Sequence, residues 1–266
     1  MRYSSCGGYG GWNRMSESDN KNASWLSYIN LSNEYERRAR FLPGLLSFFF
    51  LALPAAAFHE NIDGWILILL GGTGVGAVLS IGISHLASAA GNRLQILLWP
   101  RWPYDSPTNQ WLFPTNSQRS MQQKMLWYAA IKRVTGLEIK NSKTQEIQEL
   151  EALINDAITA MRVKLRSFDK SGLLNAHNID YGFARNFTGL RFLWFSFALI
   201  GCMASWIKSY LAKDILLLSM IEAAVLIGAF YLAFYLLPEY VRNKADRYAE
   251  SFFGALEEID KHTRHN

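Results

Sequence analysis

Hydrophobic and polar positions alternate along this chain on two scales. On the coarse scale there are four apolar runs: Phe41 to Phe58, Gly64 to Asn92, Phe192 to Ile207, and Ile215 to Leu237. The second, GWILILLGGTGVGAVLSIGISHLASAAGN, holds no Asp, Glu, Lys or Arg in 29 residues. About 20 apolar residues of helix cross a bilayer, so this run is long enough to span with some tilt. The loop HENID joins the first two runs into a helical hairpin. Pro43 falls near the first turn of its run, where a missing N–H costs little, and Pro54 predicts a kink. The third run is entered through Arg191 and closed by Lys208; the fourth opens after Asp214 and ends at Pro238.

On the fine scale the spacing is helical and amphipathic. Trp25, Tyr28, Ile29 and Leu31 predict a juxtamembrane helix before Arg40. Ile147, Leu150, Ile154, Ile158, Met161 and Leu165 share one face of a helix over about Thr144 to Arg166, with Glu146, Glu149 and Lys164 opposite. A helix over Gln118 to Val134 is stopped by Thr135 and Gly136. Val241, Ala245, Tyr248, Phe252, Ala255 and Ile259 predict a last helix, which packs against the Thr144 helix in preference to forming a coiled coil. LLWPRWPYDSPTNQWLFP, with its prolines and tryptophans, reads as a loop at headgroup level.

The expected fold is therefore all-α: a four-helix transmembrane bundle with a helical cytoplasmic domain inserted between spans two and three. The segments are a disordered tail (1–22), a juxtamembrane helix (23–40), a first transmembrane hairpin (41–92), the cytoplasmic domain (93–190), a second hairpin (191–238) and a cytoplasmic C-terminal helix (239–266). The tail is rich in Gly, Ser and Asn and carries no signal-peptide pattern.

Composition sharpens this picture. Half of the residues are hydrophobic and 18% are charged, against about 25% in a soluble domain. The 16 Phe, 12 Tyr and 9 Trp suit membrane interfaces. Two cysteines, Cys6 and Cys202, support neither a disulfide framework nor a zinc site. The placement of basic residues sets the orientation. Arg37, Arg38, Arg40, Arg93, Arg101, Arg185, Arg191, Arg242, Lys244 and Arg247 lie on the face that carries both termini, against Lys208 and Lys213 on the other. The positive-inside rule then puts the termini and the central segment in the cytoplasm, and the protein in a bacterial inner membrane.

Candidate chemistry is sparse. Gly72, Gly76, Ser80, Ser84 and Ser88 recur every four residues and form a small-residue ridge suited to helix association, and so to a homo-oligomer. Glu222 is the lone carboxylate inside a span, a costly placement that marks it as a candidate functional residue. His85 is the other titratable residue in a span. It lies ~12 Å to the cytoplasmic side of the middle of its span and Glu222 ~6 Å to the outer side, so Thr73 and the Gly71 to Gly74 backbone match Glu222 better. Arg185 and Arg191 are placed to hold a phosphate or a lipid headgroup at the membrane edge. Hydrolase motifs are absent, and Ser84 and His85 point about 100° apart on one helix, so neither a catalytic residue nor a metal or cofactor is assigned. A rival reading takes Trp65 to Leu70 as a strand and Gly72, Gly74 and Ala77 as a dinucleotide turn. Against it stand the uncharged Ala77 to Ala90 and the lack of alternating strands and helices.

YERRARFLPGLL, TGLEI, LRSFDKSGLL and YGFARNFTGL resemble a functionally uncharacterised family of bacterial four-span membrane proteins. The family's Tyr-Gly-Phe-Arg-Arg-Asn motif is matched by Tyr181, Gly182, Phe183, Arg185 and Asn186, with Ala184 in place of the first Arg. The loop WPRWPYDSPTN departs from the family's W-G-G-x-P-T-T. The layout is also similar to four-span effectors of bacterial anti-phage systems. The family likeness supports the four-span topology and implies no activity. The small-residue ridge, Glu222 and the large one-sided domain lead to the expectation of a non-enzymatic, oligomeric membrane protein whose cytoplasmic domain receives a ligand or protein partner, with no direct nucleic-acid binding, and which perturbs the membrane. The alternatives are a small proton or cation carrier using Glu222, and third an NAD(P)-dependent oxidoreductase built on GGTGVGA.

Overall fold

The computed structural model describes residues 33–49, 73–139, 146–169, 172–212 and 216–265. Among these the chain is helical with no strand, so the all-α expectation holds and a dinucleotide turn has no sheet around it there. Trp65 to Leu70, the strand of that reading, lies outside the described residues, as do the tail, the first half of the juxtamembrane helix, Pro54 and Gly72.

The helices are α1 (Leu42–Phe49), α2 (Thr73–Leu98), α3 (Pro107–Leu112), α4 (Met121–Thr135), α5 (Ile147–Phe168), α6 (Leu173–Gly189), α7 (Arg191–Ala212), α8 (Leu216–Tyr231) and α9 (Leu237–His265). A π-helical turn, Glu36–Phe41, leads into α1, and another, Leu232–Leu236, joins α8 to α9. One sequence expectation about prolines is corrected here: Pro43 is not in a first turn but sits inside a continuous helix. Pro238 ends the fourth apolar run, and the helix continues through it as the sequence predicts. A proline removes the N–H that would bond the carbonyl four residues back and its ring crowds that carbonyl. The carbonyls concerned belong to Ala39 and Phe234, and each lies within a π turn, where the widened helix makes room for it.

Two helical stretches, Arg191–Leu211 and Ala223–Arg264, are long and apolar enough to cross a membrane. The first expected span is described only to Phe49 and the second only from Thr73. The described residues thus carry two spanning-length helices where the sequence predicts four.

The largest core lies in the domain built by α3 to α6 and α9. Ile154, Ala157, Ile158, Met161 and Leu165 of α5 face Ala249, Phe252, Phe253 and Leu256 of α9, as the periodicity predicts. Ile147 is the exception, 66% exposed. Trp111 corrects the headgroup-level loop: Pro107 occupies the first turn of α3, and Trp111 is buried and stacked with Trp127 (ring centroids 6.5 Å) and Phe253 (5.9 Å). Lys124 is also buried. Its Nζ donates to the carbonyls of Phe113 (2.7 Å), Pro114 (3.3 Å) and Asn116, which fixes the loop between α3 and α4.

Where domain and spans meet, the helices cross at small residues. A Cβ on Gly189 would lie 2.5 Å from the Ala90 carbonyl carbon, and one on Gly91 would overlap Asn186 Oδ1. The α2 face buried in this crossing carries Ile83, Ala87, Gly91 and Leu94.

Candidate functional site

A cavity of about 500 Å³ opens between α3 and α5 on one side and α2, α6 and α9 on the other. Such a volume is in the range of small-molecule sites, ~300–1,000 Å³. Its walls come from every direction the chain takes toward the apolar runs. Tyr35 stands just before the π turn that enters α1. Gln95 is near the end of α2, Tyr181 and Arg185 lie on α6 ahead of α7, and Ala245 and Tyr248 lie on α9 beyond α8. The α5 helix closes the other side with Arg162 and Arg166.

Hydrogen bonds fix the floor. Gln95 Nε2 donates to the Tyr181 hydroxyl at 2.8 Å, while Gln95 Oε1 accepts from Arg185 Nη1 at 3.2 Å. Arg185 Nε donates to Asn186 Oδ1 at 3.1 Å. Asn186, fully buried, turns its amide to the Ala39 carbonyl at 2.6 Å. That carbonyl is the one Pro43 leaves without an i+4 amide, so the motif Asn supplies the donor that the proline removes. One chain of contacts thus joins the π turn that leads into α1, the last turn of α2 and the α6 helix that precedes α7.

The electrostatics favour an anion. Arg162, Arg166 and Arg185 line the cavity with Asp169 as its one lining carboxylate, a net formal charge of +2. Among the described residues no carboxylate forms an ion pair with any of the three arginines. Asp169 is occupied at the start of α6, where its Oδ2 accepts from the Asn175 amide at 3.0 Å, a helix-start position that favours negative charge. Arg162 Nε is buried with no hydrogen-bond partner. Burial pushes the Tyr181 phenol up to about 12, against smaller opposing pulls from the Arg185 charge and the Gln95 hydrogen bond. Burial raises Tyr248 as well, opposed by Arg162. Both phenols are therefore neutral and keep their O–H at physiological pH.

The residues singled out in the sequence are scattered relative to this site. Arg185 is in it. Arg191 is not: it begins α7, with its guanidinium 5.1 Å from the Phe192 ring centroid and 5.7 Å from that of Phe234. The two arginines do not converge on one phosphate. His85 is exposed on α2, ten positions from Gln95, or ~15 Å along the helix. Thr73 begins α2, and Gly76 and Ser80 lie within it, but their surroundings are outside the described residues, as is the side chain of Glu222 on α8. Ser84 and Ser88 are half-buried, one position round the helix from the buried Ile83 and Ala87, so the ridge borders the contact within the chain.

Arg162 and Arg166 escaped the sequence reading, although they left a signal. They are four apart on one helix face, a repulsive arrangement, and no acid lies within four residues of Arg162. Tyr35, Gln95 and Tyr248 left none, because only the fold brings them together.

No family model, curated protein or solved structure matches this chain. Among the described residues no group of three or more His, Cys, Asp or Glu is arranged to hold a metal ion.

Proposed function

We propose that this chain is a non-enzymatic, oligomeric membrane protein of the bacterial inner membrane that changes the packing of its spans, and so the permeability of the membrane, when its cytoplasmic cavity is occupied. Four apolar runs, both termini in the cytoplasm and self-association through the Gly72 to Ser88 ridge belong to this reading. The observation that carries it is the make-up of the cavity wall: Tyr35, Gln95, Arg185 and Ala245 come from the four helical routes into the apolar runs. A ligand touching all four has different contacts in different span arrangements, which is what a ligand needs to shift an equilibrium. The π turns beside Pro43 and Pro238 supply bending points on two of these routes. The likeness of the layout to four-span effectors of bacterial anti-phage systems agrees with this use.

The test is membrane potential in cells expressing the protein. The wild type is expected to depolarise them. Ala245→Trp and Asn178→Trp, each of which fills part of the cavity, are expected to change that leak at least tenfold at unchanged membrane abundance (about 1.4 kcal/mol). Gly76→Leu is expected to abolish it by blocking close helix approach. No leak from the wild type, or wild-type leak in all three variants, overturns the proposal.

A further inference from the structure

We propose that the cavity's ligand is a soluble phosphate monoester carrying a planar ring, a nucleoside monophosphate in charge and size. This rests on the reading of the cavity as the protein's ligand site and adds its chemistry.

Three features argue for it together. The first is charge. The lining bears a net +2, and a phosphate monoester at neutral pH carries ≈ −1.5 to −2. Arg162 and Arg166 are neighbours on one helix face, and guanidinium forks match phosphate oxygens in pairs. Neither Arg162 nor Arg166 forms an ion pair with a carboxylate among the described residues. Arg185 uses two of its N–H donors on Gln95 and Asn186 and keeps three for a ligand.

The second feature is the flat apolar surface beside the charge. Tyr181 and Tyr248 lie with near-parallel rings, 18° apart at 6.4 Å, and Trp102 completes the lining. Aromatic walls take a planar ring whatever its edge chemistry, because every base has a π-face. Asn178, also in the lining, provides donors and an acceptor for that edge, while the Ser106 and Thr108 hydroxyls, which donate to Asn109 Oδ1, can add acceptor lone pairs.

The third is position and room. Inorganic phosphate alone would leave most of about 500 Å³ empty. A phospholipid headgroup offers the same phosphate chemistry. Arg185, however, is six residues before Arg191 where α7 begins, ~9 Å of helix on the domain side, and the intervening wall of Gln95 and Asn186 is polar. A headgroup reaching Arg185 would have to pass this polar pair.

The experiment uses the full-length protein in detergent micelles and equilibrium dialysis with AMP, GMP, CMP and UMP. At least one is expected to bind one per chain with a Kd below about 1 mM. Adenosine and inorganic phosphate are each expected to bind at least about tenfold more weakly than the preferred nucleotide, since each lacks one half of the recognition. Arg162→Ala and Arg166→Ala, on partly exposed positions, are expected to weaken it about tenfold each while leaving the melting temperature unchanged, with Arg166→Lys intermediate. Phosphatidylglycerol in mixed micelles is expected not to displace the nucleotide.

Failure of all four nucleotides to bind overturns the proposal, as does binding indifferent to both arginine variants. Displacement by phosphatidylglycerol with the same arginine dependence overturns it in favour of a lipid headgroup. If the cavity-filling variants change the leak while no nucleotide binds, the ligand class is wrong and the coupling stands; if nucleotide binds and those variants leave the leak untouched, the reverse holds.

Discussion

At the scale of single residues, the junction between domain and spans depends on side chains with almost no room to vary. A Cβ on Gly189 would meet backbone atoms of Ala90 and Gly91 at 2.5 to 2.7 Å, and backbone cannot rotate aside. Gly189→Ala is therefore expected to lower unfolding stability by about 3 kcal/mol, the upper range for overpacking. Gly82→Ala, with nothing within 4 Å, should be neutral or gain up to about 1 kcal/mol from helix propensity. Equal melting temperatures for the two variants would sink the close crossing. A second residue-scale case is Asp260, nearly buried, whose carboxylate accepts from Arg133 Nε (2.6 Å) and Nη2 (2.8 Å) and from Arg264 (2.6 Å). The Arg133 hydrogen bond holds its pKa below the usual carboxylate range. A lowered folded pKa means that its stabilisation is complete above pH ~3.9, the unfolded value, and is lost as pH falls through the folded one. Melting temperature should drop with acid below pH about 4, and Asp260→Asn should flatten that part of the profile. An unchanged acid profile in Asp260→Asn would refute the assignment. Legibility at this scale was uneven: Arg185 was visible as a candidate, whereas the repulsive pair Arg162 and Arg166 was visible only to a search for arginines without acids.

At the scale of elements, apolar periodicity located the helices well because burial of one face is what selects them. Ser120, whose Oγ accepts from the Gln123 amide, starts α4, and Gly136 follows it as the sequence predicts. Pro43 misled, because the rule that confines a proline to a helix's first turn assumes that nothing else bonds the orphaned carbonyl. At Ala39 something does: Asn186, 147 positions away in sequence. The consequence is a coupling. In the wild type Asn186→Ala should cost about 2 kcal/mol, since it leaves a buried carbonyl unsatisfied. In a Pro43→Ala background the chain regains an amide at position 43 that can bond Ala39 itself, so the same substitution should cost about 1 kcal/mol less. Denaturant unfolding of the four-member cycle measures this directly. Additivity within ~0.3 kcal/mol would show that the proline and the asparagine serve different carbonyls.

At the scale of the whole molecule, similar apolar exposure occurs in two regions with opposite expected surroundings. On α7 and α8, Met203 is 57% exposed, Ile207 57%, Ile227 70% and Phe230 46%, and on α4 of the domain Met125 is 54% and Leu126 55% exposed. The first set lies on helices long and apolar enough to cross a membrane. The second shares its helix with Lys124, Lys132 and Arg133, and Gln123 bonds Glu257 across to α9. The all-α class was readable from sequence because the apolar runs and the amphipathic segments both have helical length and spacing, whereas the cavity was not, since it is defined by where five helices converge. If lipid surrounds α7 and α8 and water surrounds α4, exposure alone will not decide reactivity toward a probe dissolved in the bilayer. A photoactivated apolar carbene precursor, added to membranes and read by peptide mass spectrometry, should modify Met203, Ile207, Ile227 and Phe230 and leave Met125 and Leu126 at background. A water-soluble oxidant should give the opposite order, converting Met125 to its sulfoxide faster than Met203. Equal carbene labelling of α4 and α7 would place both in the same solvent, and the bundle reading would fail together with the gating built on it.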